Sequence, residues 1–85
     1  MPAWVSSPVH RALVAALVDA RKAAQMTQRD LAEAIGKPRS FVGKVESIER
    51  NLSALEFLAW TIALGIDAGE LVSAIVNTAE RPIDL

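Results

Sequence analysis

The sequence predicts an all-α domain of five helices joined by short loops. Three observations predict it. Alanine and leucine dominate a chain that is 52% hydrophobic but only 5% aromatic, and such residues favour helix over strand. Apolar residues recur at spacings of three and four, while strand-type alternation is sustained nowhere. Helix starts are marked by capping residues at Ser7, Thr27, Ser53 and Asp67, each able to accept a hydrogen bond from a free first-turn amide.

The first helix is expected from Pro8 to about Ala24, with proline at the first helical position. Leu13, Ala16, Leu17 and Ala20 form its core stripe, and Val14 and Val18 a second stripe beside it. The second helix starts at Thr27. Asp30 sits three residues on, completing a capping box in which Asp replaces the usual Glu or Gln. Leu31, Ala32 and Ile35 face inward, and Gly36 ends the helix.

The third helix begins at Pro38, and its end is the open point. No glycine or proline lies between Gly43 and Gly65. Phe41, Val45, Ile48, Leu52 and Leu55 are spaced four, three, four and three apart, the rhythm of one long helix or a coiled-coil seam. Ser53 with Glu56 argues otherwise, because it forms a complete capping box. Asn51 also favours a break. Two helices are therefore expected, the third over about 38–47. The fourth runs from after Ser53 to Gly65, and the fifth from after Asp67 to about Thr78, with Pro82 blocking continuation. The chain divides into an N-terminal arm (1–7), the helical domain (8–79) and a C-terminal tail (80–85).

Eighty-five residues suit one domain. A chain this small buries only about two-thirds of its unfolded surface and often dimerises. The absence of cysteine excludes a disulfide framework and a thiolate metal site. The longest apolar run, Ala12–Val18, is too short to cross a bilayer. No membrane association and a cytoplasmic location are expected. With one histidine, and with no paired carboxylates, phosphate-binding glycine loop or metal-ligand spacing, an enzyme is not expected. Neither is a cofactor or a metal. His10 reads as an ordinary surface residue.

The net charge of −1 argues against a nucleic-acid binder, but its distribution does not. Residues 21–50 carry seven Lys and Arg against four acids, while the remainder carries two against six. A basic middle with acidic ends is what a one-faced electrostatic footprint looks like; a chance surface distribution is the alternative. The basic middle coincides with two short helices joined by a tight glycine turn, a helix-turn-helix arrangement. On the third helix Val42 and Val45 face the core, leaving Arg39, Ser40, Gly43 and Lys44 on the other side. An arginine at Arg39, in the first turn, can pair with guanine O6 and N7 through two parallel bonds. Gly43 either lets the backbone approach DNA closely or relieves a clash with a neighbouring helix.

Thr27-Gln-Arg-Asp-Leu-Ala-Glu-Ala-Ile-Gly36 followed by Lys37-Pro-Arg-Ser-Phe-Val-Gly-Lys-Val-Glu46 resembles the helix-turn-helix domains of the phage Cro and CI repressor type, the XRE family. Leu64-Gly-Ile-Asp67 and Glu70-Leu71 extend the likeness, which spans roughly residues 11–75. It implies a five-helix lambda-repressor-like DNA-binding fold, with the helix-turn-helix formed by the second and third helices. It also implies a sequence-specific regulator of transcription that reads double-stranded DNA in the major groove as a homodimer. Arg39, Ser40 and Lys44 match base-facing positions. Gly43 lies on the same face. Phe41, at its edge, either touches a thymine methyl group or packs under the second helix. Thr27, Gln28, Lys37, Ser47, Arg50 and Asn51 are the implied phosphate contacts. Arg21 and Glu46 match a buried, structural ion pair.

Two departures stand out. Where the family has glycine after the third helix, this chain has Ile48, and where it has glycine after the first, Gln25. A β-branched residue is an outlier in the left-handed conformation. The third helix is therefore expected to run past Glu46, by up to a turn, with Ile48 in apolar contacts.

Phe57, Leu58, Thr61 and Leu64 match core positions of the fourth helix. Ala59, Ile62, Ile66, Val72, Ile75 and Val76 form a surplus apolar surface and a dimer patch, unless the fifth helix and the tail cover them. Trp4 and Val5 pack on the body or on a second subunit. The alternative function is a protein-interaction module on the same fold, an antitoxin, antirepressor or adaptor, with a second protein as its partner.

Overall fold

The computed structural model describes residues 2–83 and 85, so Met1 of the arm and Asp84 of the tail lie outside the description. Among the described residues there are six helices and no strand: α1 (Ala3–Ser6), α2 (Pro8–Ala23), α3 (Gln28–Ile35), α4 (Arg39–Glu46), α5 (Ala54–Leu64) and α6 (Ala68–Thr78). The five expected helices are α2 to α6, and the arm contains one further turn, α1.

Local chemistry sets the starts. Ser7 Oγ accepts from the His10 amide at 3.3 Å. Thr27 and Asp30 close a reciprocal capping box on α3, as Ser53 and Glu56 do on α5. Asp67 accepts from the Glu70 amide at 3.0 Å. The break between α4 and α5 excludes one long helix.

The ends of α2, α3, α4 and α5 share a single device. Gln25, Gly36, Ile48 and Gly65 all take a left-handed conformation, with φ of 58°, 70°, 64° and 68°. After each, the next residue's amide bonds to a carbonyl five residues back: Met26 to Arg21, Lys37 to Ala32, Glu49 to Lys44 and Ile66 to Thr61. These are Schellman closures, which satisfy carbonyls that a helix end leaves open. The expectation that α4 runs past Glu46 is thus corrected. It stops there, and Ile48 turns the chain as a glycine would. Ile48 is only half-buried and lies outside the core cluster.

A left-handed L-residue costs about 1–2 kcal/mol, partly offset by the greater unfolded-state freedom of glycine. Gln25 is exposed, so its replacement isolates this term. Gln25→Gly is expected to raise stability by about 0.5–1 kcal/mol in urea denaturation. A loss of stability would show that the turn is not strained.

The core joins Leu17 of α2, Leu31 and Ala32 of α3, Val42 and Val45 of α4, and Trp60 and Leu64 of α5. Helix α3 rests on α4 and α5, and α6 packs back on α2. Two expectations shift. The buried line of α2 is Val14, Leu17 and Arg21, with Leu13, Ala16 and Ala20 half-buried, because α2 is rotated to turn Arg21 toward Glu46. On α5, Trp60 is fully buried, while Leu58 is 50% exposed. An almost wholly apolar helix has no polar residue to mark its outer face.

Candidate nucleic-acid interface

The turn from Gly36 to Pro38 sets α4 across α3, and burial of Val42 and Val45 fixes which side of α4 faces out. Arg39, Ser40 and Lys44 are exposed there. A Cβ built on Gly43 would lie 3.5 Å from Gln28 Oε1, an ordinary contact. Packing within the chain therefore does not require glycine at that position.

A run of side-chain bonds connects this face to the interior. Arg39 Nη1 donates to Gln28 Oε1 at 2.9 Å, and Gln28 Nε2 donates to Glu46 Oε1 at 2.9 Å. Glu46 is held in turn by Arg21, through Nε at 2.7 Å and Nη2 at 2.9 Å. The third Arg21 nitrogen, Nη1, donates to the Met26 carbonyl at 2.8 Å. The expected ion pair is present and nearly buried, with side chains 11% and 8% exposed. Its bidentate geometry is the strong form of the interaction. The bonds to Gln28 and Met26 were not legible in the residue pattern.

A second cluster braces the loop between α4 and α5. The Arg50 guanidinium forks onto Glu56 at 2.9 and 3.0 Å and donates to the Asn51 carbonyl at 2.7 Å. The same group lies 4.5 Å from the centre of the Phe41 ring, a cation–π distance. Arg50, together with the Ser53 amide, holds the Glu56 carboxyl down to about 2. Phe41 packs against the core with its ring 5.9 Å from that of Trp60. Of the two expectations for Phe41, the structure places it in packing, and Arg50 is occupied within the loop.

Other expected phosphate contacts have local partners too. Thr27 Oγ1 accepts from the Asp30 amide at 3.0 Å. Asn51 Oδ1 accepts from the Leu52 amide at 2.8 Å. Ser47 Oγ has the Glu49 carboxylate and the Lys44 carbonyl as alternative acceptors for its one proton. Gln28 has both amide ends engaged. Lys37 is exposed, with its ammonium 5.5 Å from the Phe41 ring centre.

Away from this face, Leu55 and Ile62 are each 78% exposed on the outer side of α5, with Leu58 and Ala59 between them. Val72 and Val76 on α6 are also exposed. Ile66 packs against the core and Ile75 is half-buried. Trp4 packs on the body, its ring edge-on to His10 at 5.0 Å. His10 is thus half-buried rather than an ordinary surface residue, and burial, then Arg11 beside it, pushes its imidazole pKa down. No helix among the described residues is long and apolar enough to cross a membrane.

A family model described as helix-turn-helix matches residues 17–71. An XRE-family like protein from Pseudomonas syringae pv. tomato str. DC3000 is 38% identical, with a TM-score of 0.80 over 85% of this chain and 88% of that one. A mutant of the restriction-modification controller protein C.Esp1396I is 21% identical, with a TM-score of 0.76 over 91% and 92%. That second likeness is one of fold. No curated protein matches the chain.

Proposed function

Because the chain belongs to the XRE family of helix-turn-helix proteins, whose members are DNA-binding regulators of transcription, we propose that it reads a specific double-stranded site with α4 in the major groove. The observation that carries this reading is the exposed row Arg39, Ser40 and Lys44 opposite the buried Val42 and Val45. Arg39 pairs with guanine through two parallel bonds, and Lys44 reaches a base or phosphate further along. Gly43, unneeded for packing, admits the DNA backbone closely. Lys37 and the first-turn amides of α3 hold phosphates on either side.

One such domain covers a single half-site, so the working form is a homodimer on paired half-sites. Its contact is the outer face of α5, through Leu55, Leu58, Ala59 and Ile62, with Val72 and Val76 on α6. Ile66 and Ile75, both half-buried, flank that contact. The protein works in the cytoplasm, associated with the nucleoid when bound. The exposed α5 face also favours a second reading, in which a different protein docks there and DNA binding is weak or absent.

Binding to selected duplexes across a salt series tests the proposal. Affinity should fall steeply with salt, as phosphate contacts require. Arg39→Ala should lose about 1–3 kcal/mol of discrimination at one base pair, leaving the others unchanged. No duplex binding above background at low salt would sink the DNA reading and favour the protein-interaction module.

A further inference from the structure

The Arg21–Glu46 pair braces α2 against the end of α4, and its geometry reaches further. Glu46 Oε1 accepts from both Arg21 Nη2 and Gln28 Nε2. The second bond uses the amide nitrogen of Gln28, which turns the amide oxygen the other way. There it accepts from Arg39 Nη1 at 2.9 Å. Swapping the two ends of this amide would set nitrogen against guanidinium and oxygen against carboxylate. The run of side chains therefore has one favoured arrangement, and each bond in it supports the next.

Arg39 is exposed, and an exposed arginine otherwise samples many rotamers. We propose that Glu46 is a positioning residue for DNA reading: acting through Gln28, it holds Arg39 in one orientation and sharpens its base preference. The inference rests on the DNA reading above. With Nη1 turned to Gln28, the Nε–Nη2 edge of the guanidinium is left to meet a base through two parallel bonds. In the same arrangement Gln28 spends both amide ends within the chain, so its side chain serves Arg39 and not a phosphate.

The test compares Gln28→Met, Glu46→Leu, which removes the acceptor, and the double variant with the unaltered chain on all single-base variants of a selected site. Urea denaturation runs alongside. Gln28→Met keeps the length of the side chain, removes both polar ends and leaves the core untouched. Discrimination at the base pair read by Arg39 should fall about tenfold in each single variant. It should fall no further in the double variant, because both changes cut one path. Preferences at other positions and the salt slope should stay as they are. In the unbound protein, NMR relaxation of the Arg39 Nε–H should show an ordered group that becomes mobile in Gln28→Met.

Uniform weakening across sequences, with every base preference kept, would make Gln28 a phosphate contact and overturn the proposal. So would a Glu46→Leu variant that loses stability but keeps its base preference. If the unaltered chain binds no duplex, the function it rests on falls. The relaxation measurement then decides the positioning alone: an ordered Arg39 supports it and a mobile one overturns it.

Discussion

Trp60→Ala is expected to cost about 3–5 kcal/mol of stability, the range for removing a fully buried large aromatic. Trp60 is 0% exposed and belongs to the cluster joining α2, α3, α4 and α5. Its ring supports Phe41, which carries Arg50 on its outer surface. The loss therefore runs from the core through the first turn of α4 into the loop that follows it. A domain of this length has roughly 4–13 kcal/mol in total, so the loss removes from about a quarter to all of it and should shift the unfolding midpoint far down in urea. The Trp60 indole N–H has no hydrogen-bond partner among the described residues. Trp60→Phe removes bulk but also an unpaired buried donor, so it should be much milder than alanine. Urea denaturation with circular dichroism measures both. A loss under about 1 kcal/mol for alanine would mean that α5 does not pack on the core as described.

Arg21→Ala is expected to cost about 3–5 kcal/mol, because it strands a nearly buried carboxylate. Glu46 would keep only the Gln28 amide, and the Met26 carbonyl would lose its donor. Removing both charges is a different matter. Arg21→Met combined with Glu46→Leu exchanges a desolvated pair for apolar contact, and most of the lost stability should return. The same double change cuts the link to Gln28, so base discrimination should stay low although the fold is restored. Stability and discrimination, measured on one set of variants, thus separate bracing from positioning. A double variant no more stable than Arg21→Ala would contradict this account of the pair.

The starts of helices were legible because capping is local: Ser7, Thr27, Ser53 and Asp67 each act on the amide three residues away. The outward face of α4 was legible for a similar reason. Val42 and Val45 define the buried side, and Arg39 and Lys44 are left outside it. The stop of α4 was not legible, because the glycine expected there is Ile48. The Schellman bonds and the packing of α4 impose the left-handed turn on a residue that disfavours it. Helix α5 hid its orientation, since Leu55, Leu58, Trp60 and Ile62 look alike to a hydrophobicity pattern. The occupied states of Gln28, Phe41 and Arg50 depend on partners that only the tertiary structure brings near. Arg21 with Glu46 was anticipated through family resemblance, not through spacing.

The left-handed turns at Gln25 and Ile48 bear on how this protein can change. Substitutions in a recognition helix that create a new site preference commonly destabilise, by about 1 kcal/mol at the centre of the distribution. A chain that keeps a strained turn at an exposed position holds an unused increment of similar size. Releasing it at Gln25 touches neither the core nor the face that carries Arg39 and Lys44. A Gln25→Gly background would thus widen the range of α4 sequences that stay folded, leaving the domain more open to change on that helix.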